Sequence, residues 1–160
     1  NFKHIDNNDI YLKTFKDNSV DLIYSSHFIE YFDRDDVKKI LIKWKNVLKE
    51  NGILRIAVPN FKTCAELYTK GLYPLDNFLG PLYGKMKMSN KLIYHKTVYD
   101  FESIKDILLN IGMRNINIYD WRDTEHAEID DHSQAYLPHM DKINGTLISL
   151  NVESIKWLLN

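Results

Sequence analysis

Val20-Asp21-Leu22-Ile23-Tyr24-Ser25-Ser26-His27, then Val37 to Leu48, then Gly52-Ile53-Leu54-Arg55-Ile56-Ala57-Val58-Pro59 is the stretch that decides the fold. The first piece is β-branched and aromatic and runs into a polar bend, as a strand does at its end. In the second, Val37, Ile40, Leu41, Trp44, Val47 and Leu48 recur at helical spacing and place one apolar stripe on a helix. Asp33 is its expected N-cap, Asp35 and Asp36 lie in the first turn, and Gly52 is read as its left-handed C-cap. The third piece is almost continuously apolar and is stopped by Pro59, which predicts a strand buried in a sheet covered on both faces.

Working outward, Phe2 to Ile5 reads as a short strand ending at Asp6, and Ile10 to Leu12 as a second extended piece. A short helix is expected over about 63–70, and Gly71 to Asn90 is read as a long irregular loop. Asp100 caps an amphipathic helix of Phe101, Ile104, Ile107, Leu108 and Ile111 that stops at Gly112. Asn115 to Tyr119 alternates as a half-buried strand, a polar stretch fills 123–144, and the last strand is expected over Thr146 to Leu150. Alternating strands and helices with short connections predict one α/β sandwich over residues 1–160 with a mainly parallel sheet.

The chain has 160 residues, 21 basic and 22 acidic side chains, a net charge of -1 and one cysteine. Near-neutral charge disfavours dedicated nucleic-acid binding. Cys64 has no partner for an internal disulfide, no apolar run approaches the roughly 18 residues of a membrane span, and no signal sequence opens the chain, so a cytoplasmic protein with no membrane partner is expected. Asn1 in place of Met predicts that the sequence begins inside a longer product.

In open parallel sheets ligands bind beyond the carboxyl ends of the strands. That rule selects Asp6 to Asp9, Ser25 to Glu30, Pro59 to Phe61 and Tyr119 to Arg122. Asp6 is placed to accept from ribose hydroxyls and Asp9 from an adenine amino group, or both serve turn chemistry. His27 is a candidate base or donor, and His126 and Tyr136, from the polar stretch, join it as candidate catalytic side chains. That stretch is either a substrate-facing loop or a polar plug over the strand ends, and the spacing of His126, His132 and His139 matches no compact metal signature, so no metal is expected.

Asp9-Ile10, the run Phe15 to Tyr31 and the run Val47 to Pro59 resemble class I S-adenosylmethionine-dependent methyltransferases, of Rossmann-like, type 11-like form. Tyr94 to Glu102, Asp120-Trp121-Arg122 and Ser133 to Pro138 are similar to one subgroup of them. The resemblance implies S-adenosylmethionine as cofactor, with Asp6 at the ribose, Asp9 and Ile10 at the adenine, and Ser25, Ser26 and His27 as the wall beside the methyl donor. It also implies a small-molecule or sugar-type acceptor. Two departures matter: Glu30-Tyr31 stands where the family often has Glu-His, and none of Gly52, Gly71, Gly80, Gly84, Gly112 or Gly145 supplies the family's glycine-rich turn.

An N-terminally truncated fold lacking the first strand is therefore expected, with impaired cofactor binding. Either Phe2 to Ile5 pairs beside Val20 to Tyr24, or a second chain completes the sheet as a homodimer. The alternative is a non-catalytic binding or scaffold module; a nicotinamide-dependent oxidoreductase ranks last, since it needs the same glycine turn.

Overall fold

The computed structural model describes residues 9–88 and 90–157. The strand expected at Phe2 to Ile5, its pairing and the side chain of Asp6 lie outside the described residues. Four strands form the main sheet in the order β1 (Val20–Ser26), β2 (Leu48–Pro59), β8 (Ser149–Lys156), β5 (Met113–Ile118). β1 and β2 are parallel, and β8 runs antiparallel to both its neighbours. Three of the four strands thus point one way in a mixed α/β sandwich.

The register separates two faces. Leu54, Ile56 and Val58 of β2 lie beside Ser154, Val152 and Leu150 of β8, and α1 (Arg34–Val47) and α4 (Phe101–Asn110) bury Val37, Ile40, Leu41, Trp44, Ile104 and Leu108 with this face in the main core. The opposite face carries Tyr24, Ser26, Arg55, Ala57, Asn151 and Glu153, and residues 125–133 bond to it. The polar stretch is polar because the sheet face it meets is polar: burial there requires hydrogen-bond partners. Arg55 is buried between Glu153, its cross-strand neighbour, and Glu125 of the loop, with its guanidinium over the Tyr119 ring.

Several expectations change in detail. α1 ends at Val47 and passes straight into β2 through extended Leu48; the left-handed residue is Asn51, and residues 49–52 bulge between the pairings Val20↔Leu48 and Leu22↔Ile53. Gly52 is needed because a Cβ there would meet the Lys49 carbonyl at 2.8 Å. Ile10 to Leu12 is turn rather than strand, closed by the Asp9 carboxylate. Residues 71–90 are not an irregular loop: they hold α3 (Asp76–Tyr83) and β3 (Met86–Met88), which pairs with β4 (Lys91–Ile93). Gly80 and Pro81 inside the helix hid its period.

α2 (Phe61–Thr69) and α3 share a second apolar cluster of Cys64, Leu67, Phe78, Leu137 and Ile148. The final strand is longer than expected: β6 (Tyr136–Leu137) pairs with β7 (Thr146–Leu147), and β8 continues to Lys156. Lys156 is buried, its ammonium donating to Asn18 Oδ1 at 2.7 Å and Leu48 O at 2.7 Å, so a lysine ends the strand inside the protein.

α4 begins with a reciprocal capping box: Ser103 N donates to Asp100 Oδ1 at 2.9 Å, and Asp100 N to Ser103 Oγ at 3.0 Å. Asp100→Ala should cost about 1 kcal/mol, lowering the thermal midpoint by about 2–4 °C. An unchanged midpoint would show that packing alone fixes this helix start.

Candidate functional site

β1 ends at Ser26, and His27 turns the chain with a left-handed backbone, φ 46°. Alternation sends Ser25 to the helix-covered face and Tyr24 and Ser26 to the loop-covered face. There Asp131 gathers three donors: Tyr24 OH at 2.7 Å, Ser26 Oγ at 3.1 Å and Ser133 N at 2.8 Å. Ser133 N also donates to Ser26 Oγ at 3.1 Å, and Asn151 Nδ2 donates to Ser133 O at 2.9 Å. His126 is buried beneath this tie, stacked on Tyr24 with ring centroids 3.7 Å apart.

The imidazole of His27 makes a 3.0 Å hydrogen bond to Ser149 Oγ through Nε2. That hydroxyl spends its own proton on Asn151 Oδ1 at 2.9 Å. His27 is therefore the donor, which assigns its proton to Nε2 and leaves Nδ1 as an acceptor. Nδ1 faces the Glu30 carboxyl, whose Oε1 lies 3.6 Å away, and His95 Nε2 approaches the same oxygen at 3.8 Å. Glu30 is completely buried, and neither carboxyl oxygen has a hydrogen-bond partner among the described residues. Burial pushes Glu30 up to about 8 and His27 down to about 3, and it also lowers His95. At pH 7 the group rests as a neutral acid beside neutral imidazoles.

The remaining candidates lie elsewhere. Tyr136 is buried with its hydroxyl taking hydrogen bonds from Arg122 Nη2 at 2.8 Å and Trp121 Nε1 at 3.3 Å. Asp9 closes its own turn, accepting from Lys13 N at 2.7 Å and Thr14 Oγ1 at 2.7 Å, and these bonds hold its carboxyl below the usual range. Ile10 is fixed on α1 by Trp44 Nε1, which donates to its carbonyl at 2.7 Å. Ser26 thus joins the Asp131 tie directly and His126 through Tyr24, while His27 bonds Ser149 and Ile10 sits against α1. A surface hollow of about 470 Å³ lined by Tyr11, Leu12, Phe15 and Val47, among others, contains none of the candidates.

Two groups were given no role by the sequence reading: Glu30, selected only as the last residue of the strand end, and Asp131, one acid among many in the polar stretch. The first had a signal, an acid enclosed by Phe28, Ile29, Tyr31 and Phe32. Among the described residues no group of three or more His, Cys, Asp or Glu side chains is arranged to hold a metal ion. No described helix is long and apolar enough to cross a membrane.

Residues 3–56 match the family described as a methyltransferase domain. By fold, the chain is similar to a SAM-dependent methyltransferase from Archaeoglobus fulgidus, with 17% identity and a TM-score of 0.51 over 91% of this chain and 63% of that one. It is also similar to a SAM-dependent methyltransferase from Methanosarcina mazei, with 14% identity and a TM-score of 0.53 over 94% of this chain and 66% of that one. The chain therefore spans slightly less than two thirds of either structure. No curated protein matches it. The family match covers about a third of the chain, and the solved structures share its fold at low identity.

The described residues fit S-adenosylmethionine, the cofactor that the resemblance implies, in part. At the β1 bend Ser26 faces the loop, Ser25 faces the helix layer, and His27 lies 3.6 Å from the buried Glu30 carboxyl. Yet Ser26 and His27 are already bonded to Asp131 and Ser149, and the Asp9 carboxylate to Thr14.

Proposed function

We propose that the chain belongs to an S-adenosylmethionine-dependent methyltransferase acting on a small-molecule or sugar-type acceptor, and that these 160 residues alone hold the cofactor weakly. The observation that carries the reading is the β1 bend, where a left-handed His27 closes the carboxyl end of a strand in a methyltransferase-like sheet. In the proposed site Ser25, Ser26 and His27 form the wall beside the methyl donor, and Asp9 with Ile10 meets the adenine once the Asp9 carboxylate leaves Thr14. Asp6 is assigned to the ribose. The cofactor, when bound, supplies a methyl group on an already activated sulfonium.

The chain's own residues then need only align the acceptor and exclude water. His27 suits that role better than strong general-base work, because burial keeps its imidazole neutral and weakly basic. His126 and Tyr136, rigidly packed on Tyr24 and on Arg122, shape the acceptor side rather than exchange protons. Weak cofactor binding is proposed because no glycine-rich turn in these 160 residues presents backbone donors to the amino-acid end. An unpaired, buried Cys64, its thiol pushed up to about 11, is consistent with the cytoplasm.

Amide chemical shifts followed during titration with S-adenosylhomocysteine test both parts. Fast-exchange shifts confined to Asp9, Ile10 and Ser25 to Glu30, unsaturated at millimolar ligand, are expected. A tight one-to-one complex would overturn the weak-binding part, and no shift at all would overturn the methyltransferase site. The second reading, a dimeric scaffold module, is favoured by one observation: among the described strands β1 pairs with β2 alone. A monomer by light scattering would dismiss it.

A further inference from the structure

The run Phe28-Ile29-Glu30-Tyr31-Phe32 sets one acid among apolar and aromatic side chains, and the short turn Ile29–Tyr31 buries Ile29 and Glu30 together. The carboxyl is fully enclosed, and neither of its oxygens has a hydrogen-bond partner among the described residues. Buried polar groups in that condition are rare and call for a partner.

The neighbours of Glu30 present lone pairs rather than protons. His27 gives its one proton to Ser149 Oγ, so the Nδ1 that faces the carboxyl at 3.6 Å is bare. His95 Nδ1 lies 3.1 Å from Pro81 O, and a carbonyl only accepts; the proton of His95 is therefore on Nδ1, and its Nε2, 3.8 Å from Glu30 Oε1, is bare too. Both separations exceed the ordinary reach of a hydrogen bond, so the single carboxyl proton bridges neither pair. Three acceptor atoms thus converge without a donor. The arrangement is framed from outside: the His95 ring fills the space that a Cβ on Gly84 would need, and Tyr31 meets that ring edge-on at 4.6 Å while donating to Gly84 O at 2.9 Å.

A primary ammonium group has three N–H donors and no acceptor, which complements these three atoms. An alcohol brings one donor and a quaternary ammonium none. Around the carboxyl stand His27 of the β1 bend, Tyr31 of its own turn, His95 after β4 and Tyr99 before α4, all uncharged at pH 7. Exposed His132 stands against His27, with ring centroids 5.4 Å apart. Arg34 lies over the Tyr99 ring with its donors on Thr97 Oγ1 and Val98 O, and Lys96 pairs with Asp33. The fixed cations nearby are thus already engaged.

We propose that Glu30, His27 and His95 bind the ammonium group of a primary amine, which enters past the imidazoles, the parts of the cluster that touch solvent with 12% and 5% of their side chains exposed. Glu30 releases its proton to solvent as the ammonium arrives, so charge balances and one proton leaves per amine bound. The inference deepens the proposed function by naming the methyl acceptor as an amine, and only that naming rests on it; binding of the amine itself needs no cofactor.

Imidazole nitrogen shifts followed by NMR during titration with methylammonium chloride test it. The bare nitrogens of His27 and His95 should move upfield together and saturate, while tetramethylammonium and sodium chlorides at equal ionic strength leave them in place. Between about pH 6 and 7.5 the apparent affinity should rise about tenfold per pH unit, the mark of one proton released. Glu30→Gln should lower the affinity by on the order of 100-fold, as loss of a charged hydrogen-bond acceptor does, and flatten that pH dependence. His95→Phe keeps a ring and the carboxyl but not the bare nitrogen, and should weaken binding about tenfold with the pH dependence intact. Thermal unfolding of each variant separates loss of fold from loss of binding, and the three cations test the unaltered chain by themselves. No shift with methylammonium, equal shifts with tetramethylammonium, or unchanged binding in Glu30→Gln overturns the proposal. Because no cofactor is present, these outcomes are distinguishable from failure of the S-adenosylhomocysteine titration.

Discussion

Stability measured by urea unfolding should peak near pH 7 and fall by about 1 kcal/mol between there and pH 9, and Glu30→Gln should abolish that alkaline fall. The sign follows from which state holds the proton. Glu30 is raised from 4.5 to about 8 in the folded chain, so the folded state keeps a proton that the unfolded state has released. Its contribution is complete below pH 4.5 and is lost as pH rises to about 8. His27 works in the opposite sense: lowered from 6.5 to about 3, it contributes fully above pH 6.5 and loses that contribution as pH falls.

Between 4.5 and 6.5 these two slopes oppose one another, at about 1.4 kcal/mol per pH unit each. His95 and His126, both lowered by burial, add to the acid side, as do the depressed carboxyls of Asp9 and Asp100. The unfolded histidines finish releasing their protons about one pH unit above 6.5, and beyond that Glu30 sets the slope until its own proton leaves. Tyr31 and Tyr99, the other titratable groups near it, are both raised from 10 and stay protonated through that range. In Glu30→Gln the amide cannot ionise, so the curve should rise slightly to about pH 7.5, show no comparable fall beyond it, and lie above wild type at pH 9. A wild-type curve that shows no fall between 7.5 and 9 would mean that Glu30 is charged when folded.

The sequence made the helix-covered half of the fold legible for a physical reason. Val37, Ile40, Leu41 and Trp44, and likewise Ile104 and Leu108, bury against an apolar sheet face, and apolar burial leaves a period that can be read. The opposite face left no such trace, because Tyr24, Ser26, Arg55, Asn151 and Glu153 are satisfied by hydrogen bonds from a loop, and polar pairing has no period. For the same reason β8 was read as far as Leu150 but not through Asn151, Glu153 and Lys156, which are polar yet inside the sheet. In the candidate site, Ser26 and His27 were legible as a strand end. Their partners were not, because Asp131, Ser149 and Asn151 are brought to them across more than a hundred residues of chain.

Asp131→Ala should destabilise the chain by about 3 kcal/mol, since hydrogen bonds to a charged acceptor are each worth about 1.5–3 kcal/mol and three donors lose this one. The loss is smaller than a simple sum because Ser133 N keeps Ser26 Oγ at 3.1 Å, whereas the Tyr24 hydroxyl, in a largely buried setting, loses its acceptor. A drop of about 6–12 °C in thermal midpoint is expected. Asp131→Asn, which keeps an acceptor oxygen but not the charge, should lie between the variant and wild type.

Where the destabilisation appears matters more than its size. Asp131 joins residues 126–134 to the end of β1, so amide exchange should quicken in that loop and at Ser25 to His27 while α1 and α4 keep their protection. With the tie cut, the Ser26 hydroxyl also becomes available to a ligand at the strand end. Exchange that quickens equally over the whole chain would show Asp131 to be an ordinary contributor to global stability, and would remove the loop from any account of how the strand ends are opened and closed.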